Sequence, residues 1–163
     1  MQKAGEGLPD PNDQIIDLMS GDVAAMIAWI KFVLRDQLEA LSPMIISRID
    51  FELNRKIISP FLNRDNLHWL GYGPGKVNNW NIWINSNILI TAITAIDDEA
   101  IRNKVIEKSI RSADNFLNRY PNDGGCDEGV TYWAEAGGRL IQFVNLYADK
   151  KTAANTGFTA IVA

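Results

Sequence analysis

The sequence predicts an all-α fold of antiparallel helical hairpins, on three observations. Apolar residues recur at three- and four-residue spacing over most of the chain. The periodic segments are joined by short turns at Ser42-Pro43 and Asp97-Asp98, tight enough to force neighbours back to back. No stretch alternates with period two, the pattern of a half-buried strand. With 163 residues, 47% hydrophobic and 22% charged, the chain suits a single globular domain with a genuine core.

Residues 1–13 are polar, contain Gly and Pro, and read as an extended lead-in. The helical domain is expected over 14–150. Gln14 to Met19 reads as a short helix ending at Ser20-Gly21. Asp22 is then the expected N-cap of a long helix to Leu41, with Val23, Ile27, Ile30, Leu34 and Leu38 as its apolar stripe. Ser42 caps the next helix, with Pro43 at its first position. That helix runs to Ile58, with Ile45, Ile49, Leu53 and Ile57 inward, and Pro60 breaks or kinks it. Phe61 to Leu70 reads as a short helix and 71–75 as a glycine loop. Further helices are expected over 80–96, over 98–119 with Val105, Ile106, Ser109, Ala113, Phe116 and Leu117 inward, and over 128–150 with Leu140, Val144 and Tyr147 in one stripe. Residues 151–163, rich in Thr, Ala and Gly, form a tail of weak structural signal.

A net charge of −4 argues against a general nucleic-acid binder, because no basic excess exists to neutralise phosphates. It leaves room for an anionic ligand met by a few local cations. The longest apolar run, Val23 to Leu34, is interrupted by Lys31 and is too short to span a bilayer, so no membrane partner is expected. No apolar core follows the first residues, so no signal peptide is read there. One cysteine, Cys126, excludes an internal disulfide and a Cys-rich zinc site, and one histidine, His68, excludes a multi-histidine metal cluster. No metal or cofactor is expected.

Two stretches combine glycines, polar residues and aromatics immediately before helices. One is Gly73 to Asn81; the other is Asp123 to Trp133. In antiparallel hairpins every second turn lies at the same end, so both are expected at one cleft. Asn78, Asn79 and Asn81 offer neutral amides that bind a carboxylate without titrating. Asp127 is a candidate cap for a helix with Glu128 in its first turn, which places Tyr132 and Trp133 about one turn inside. A phenol beside carboxylates at an open turn suits proton transfer or sugar binding; the alternative is that Tyr132 and Trp133 pack while the acids cap. Trp69, Trp80, Trp83 and Trp133 are candidate sugar-stacking faces, or else core residues. Acids beside Cys126 disfavour its thiolate, so it is not read as a nucleophile.

Asn78-Asn-Trp-Asn-Ile-Trp-Ile-Asn-Ser-Asn87 followed by Asp123-Gly-Gly-Cys-Asp-Glu-Gly-Val-Thr-Tyr-Trp133 resembles the heparinase II/III-like polysaccharide lyases. The resemblance runs from about residue 60 to 147. It implies part of an α/α toroid, a ring of helical hairpins whose cleft takes an acidic, uronate-containing polysaccharide. Asn78 or Asn79 would then neutralise the uronate carboxylate, and Tyr132 would move the proton in a β-elimination. Trp80, Asn81, Trp83, Trp133 and Glu128 would line or shape the substrate site. The resemblance also implies an exported bacterial parent, periplasmic or secreted. The family's later catalytic His or Tyr and its C-terminal β-sandwich have no counterpart here, so a partial toroid is expected, impaired alone and self-associating through exposed apolar helix faces. Two other readings stand beside it. One is a helical module that binds glycan without turnover; the other is an α/α-barrel glycoside hydrolase using Asp123, Asp127 or Glu128. The hydrolase fits less well, because it needs two carboxyls across one bond.

Overall fold

The structure, a computed structural model, describes residues 14–126 and 128–156, of which 150–156 by backbone alone. The lead-in, Asp127 and the end of the tail lie outside the described residues. Those residues form α1 (Leu18–Leu41), α2 (Pro43–Leu53), α3 (Ser59–Asn63), α4 (Asn79–Ala95), α5 (Glu99–Leu117), α6 (Val130–Trp133) and α7 (Arg139–Thr156). No strand occurs among them. The fold is all-α, as the periodicity predicts.

The helix α4 is the centre, packed against α1, α5 and α7. It carries no charge and is buried nearly all round: Ile82, Ile84, Ile88, Leu89 and Ala92 are enclosed, and so are Asn81, Asn85, Ser86, Asn87 and Thr91. Asn78 caps it, its Oδ1 accepting from the Trp80 N–H at 3.3 Å. Asp98 caps α5 in the same way, accepting from the Ile101 N–H at 3.0 Å. Both boundaries fall within about a residue of the sequence expectation.

The helix α1 departs from it. Asp17 is the cap, in a reciprocal box with Ser20, and the helix runs unbroken past Ser20-Gly21. Asp22 therefore lies inside the helix. The face turned to α4 is small: Gly21, Ala24, Ala25 and Ala28 are buried there. Small residues let the two axes come close. The expected inward stripe is largely reversed, because Val23, Ile30 and Leu34 stay about 40% exposed. The helix bends at Leu34, where φ and ψ leave the helical region.

Lys31 ties the far end of α1 to its neighbours. Its Nζ is fully enclosed and meets Asp50 at 2.6 Å, the Ala95 carbonyl at 2.8 Å and Asp97 at 3.4 Å. Burial opposes the ionised Asp97, but Arg35 and Lys31 outweigh it and hold the carboxyl below its usual range. After α2 the chain continues through a π turn, Asn54–Ile58, into α3, so Pro60 sits in a first helical turn and does not end the helix. The expected helix over 61–70 is replaced by the end of α3 and a single 3₁₀ turn, His68–Leu70. Leu117, expected inward, is 45% exposed. On α7 Val144 and Tyr147 face outward, while Phe143 and Ala136, in the turn before the helix, enter the core.

Candidate functional site

The loop before α4 is fixed from below. Gly71 ends the 3₁₀ turn with φ +77°, and a Cβ there would fall 2.9 Å from that of Asn115, so only glycine fits. Beneath it the buried Asn81 amide donates to the Trp69 carbonyl at 2.8 Å and to the Ser112 carbonyl and hydroxyl at 3.1 Å. Ser112 Oγ donates in turn to the Leu70 carbonyl, and Asn85 adds a bond to the same hydroxyl. Above it Arg119, just past α5, donates to the carbonyls of Gly75 at 2.9 Å and Gly73 at 3.3 Å.

The second loop turns at Asp123, whose carboxylate accepts from the Gly125 N–H, and at Gly124 and Gly129, both at positive φ. Trp133 Nε1 closes it onto the Gly124 carbonyl at 3.0 Å. A π turn, Ala134–Gly138, links α6 to α7 and brings Ala136 under the loop. Arg139 anchors the junction. It pairs with Glu135 at 2.9 Å and stacks 5.1 Å from the Trp83 ring centre. Trp83 Nε1 and Asn87 Nδ2 both donate to Asp22, at 2.8 and 2.7 Å, so α1, α4 and α7 meet around one carboxylate.

The two loops converge. Between them lies a cleft of about 190 Å³, lined by Lys76, Asn78, Asn79, Arg119, Cys126, Glu128 and Ala136 among others. Connectivity alone puts both loops at one end; α5 is continuous and returns the chain there. Asn79 is the distinctive residue. It is only 4% exposed and lines the cleft.

The other candidate residues are distributed unevenly. Asn78 and Glu128 line the cleft. Asn81 is fully enclosed, with its amide committed to the loop foundation. Trp80 is half-buried, its ring 5.2 Å from that of His68. Trp83 holds the Asp22 and Arg139 junction, and Trp133 is an exposed strut of its own loop. Tyr132 is 46% exposed and does not line the cleft, although Glu128 and Ala136, one turn either side of it in sequence, do. It lies in the first turn of α6, whose N-cap position is Gly129, so Glu128 precedes that helix and does not stand in its first turn; the expected cap, Asp127, lies outside the described residues. Sequence reasoning passed over Lys76 and Arg119, the cations of the cleft. Their signal was faint: a lysine just after a Gly-Pro-Gly loop, and an arginine two residues before a Pro-Asn-Asp-Gly turn.

Among the described residues no helix is long and apolar enough to cross a membrane. No protein-family model matches the chain, and no curated protein matches its sequence.

Proposed function

We propose that this chain is a polysaccharide lyase-like domain whose cleft takes the carboxylate of a uronate-containing glycan. The Asn79 side chain, which lines the cleft between the two loops, carries the reading. It supplies a non-titrating donor beside Lys76 and Arg119, a combination that suits a sugar acid better than a neutral sugar. Neutralising the carboxylate acidifies the C5 proton. In the step proposed, the Tyr132 phenolate takes that proton. The C5–H electron pair becomes the C4=C5 double bond, the C4–O bond breaks, and Tyr132 returns the proton to the leaving oxygen. The likeness of both loops to heparinase II/III-like lyases supports this assignment, as does their meeting at one cleft. A partial α/α toroid, self-association through exposed apolar helix faces and an exported bacterial setting belong to the same proposal.

The test is the ultraviolet absorbance of unsaturated uronate product from heparan sulfate, chondroitin, hyaluronan and alginate, with binding measured in parallel. Elimination on one substrate is expected to fall by about 10²–10⁴-fold in Tyr132→Phe. In Asn79→Ala it is expected to fall by about 10²–10³-fold. New reducing ends without unsaturated product would indicate a hydrolase and overturn the assignment. One observation favours a second reading, binding without turnover: Tyr132 stands outside the cleft lining. That reading predicts glycan binding that survives Tyr132→Phe, is lost in Asn79→Ala, and yields no product.

A further inference from the structure

We propose that the cleft selects uronans that carry no sulfate, and that Glu128 sets this selectivity; the inference rests on the uronate reading above. The charge of the cleft is divided between its walls. The first loop and the end of α5 supply Lys76 and Arg119, beside the neutral amides of Asn78 and Asn79. The second loop supplies Glu128, and from Asp123 to Glu128 its sequence holds three acids and no cation. Among the described lining residues two cations stand against one carboxylate, a surplus of one positive charge. At about 190 Å³ the cleft is smaller than the roughly 300–1,000 Å³ of sites for drug-sized ligands, so it takes one charged sugar unit and not a run of them. A surplus of one matches the single carboxylate of such a unit.

A sulfate on the same unit is poorly served by both walls. Such an anion is best held by the planar fork of an arginine. Arg119 is the one arginine among the described lining residues. Both its terminal nitrogens already donate to the first loop, to the Gly75 carbonyl at 2.9 Å and the Gly73 carbonyl at 3.3 Å. Its charge acts in the cleft while its fork is committed to the backbone. Glu128 discriminates on the other side, by hydrogen bonding as well as by charge. Its carboxylate only accepts, so a free sugar hydroxyl can donate to it. The sulfate ester of that hydroxyl has no proton to donate and carries a negative charge, which turns a favourable contact into a like-charge one. Glu128 is exposed, so water and salt screen the penalty, and the result is a preference of modest size.

The experiment is titration calorimetry of the full chain at fixed ionic strength with two oligosaccharides of one length and one backbone, unsulfated chondroitin and chondroitin sulfate. Circular dichroism is the folding control. The parent chain is expected to prefer the unsulfated form by about three- to tenfold, and Glu128→Gln to close that ratio to within about twofold. Asp36→Asn also removes one negative charge, but past Lys31, which reaches the Ala95 carbonyl at the other end of α4. It is expected to leave the ratio as it stands. Equal affinity for the two forms, or tighter binding of the sulfated one, would overturn the inference and leave the uronate reading in place. So would a ratio that Glu128→Gln does not move, or one that Asp36→Asn closes as far. Binding of neither form, nor of alginate, would sink the uronate reading and this inference with it.

Discussion

The loop before α4 rests on buried polar side chains, whereas the loop before α6 is held by bonds that water reaches. Asn81 and Ser112 sit under the first and satisfy carbonyls that would otherwise be stranded in the core. The second depends on an Asp123 turn and on the Trp133 strut, both at the surface. A buried network costs heavily when one member is lost, while an exposed bond is replaced by water. One wall of the cleft is therefore rigid and presents Asn79. The other can adjust, and leads into the helix that carries Tyr132, outside the cleft lining. Should Tyr132 have to move to reach a substrate, the softer wall is the one built to allow it.

Breaking the foundation gives the largest expected effect. Asn81→Leu removes the donor to the Trp69 and Ser112 carbonyls and is expected to lower stability by about 2–4 kcal/mol, measured by urea unfolding. An effect below about 1 kcal/mol would show that the first loop is no better founded than the second. Gly71→Ala comes next, at about 1–3 kcal/mol in the same measurement, since the added methyl must displace Asn115 while the backbone stays at positive φ.

These effects bear on how much was legible in the sequence. The starts of α4 and α5 were legible because Asn78 and Asp98 are side chains whose cap chemistry is local. The convergence of the loops was legible because it follows from connectivity. The orientation of α1 was not. Large apolar residues at helical spacing imply an inward stripe only when they are what the neighbour accepts, and α4 accepts Gly21, Ala24, Ala25 and Ala28. Asp22 misled for a related reason: the residue type fits a cap, but Asp17 has the reciprocal Ser20 and Asp22 has Trp83 and Asn87. Asn79 and Asn81 are alike by composition. Only tertiary packing shows that one is committed to the fold and the other faces the cleft.

The softer wall is tested by Trp133→Phe, which deletes the indole donor to Gly124 and trims the ring that lies over Gly137. A global loss under about 1 kcal/mol is expected, because both ends of the bond are solvated. Amide hydrogen exchange is expected to accelerate over 121–126 and to stay unchanged over 71–81. Equal acceleration on both sides would mean that the loops open as one unit and would erase the contrast between them.

The smallest effect comes from acid. His68 is the only histidine, and its ring leans on Trp80 directly beneath the first loop. Burial pushes its pKa below the ordinary 6.5. The sign follows: the unfolded chain takes up the proton first, so stability is full above pH 6.5 and declines as pH falls through the window just below. The depressed carboxylates act lower. Asp65, held down by its bond to Lys108, and Glu52, held down by Arg55, keep their contribution until pH drops into the carboxylate range. Between about pH 6.5 and 5 the decline therefore belongs to one imidazole. His68→Gln is expected to flatten the stability profile across that window and leave the steeper acid limb in place. Because the ring lies against the first loop's own helix, amide protection over 71–81, corrected for the intrinsic pH dependence of exchange, should respond to pH in the parent and not in the variant. A response confined to 121–129 would move the titrating group to the other wall, and with it the assignment of which wall is rigid.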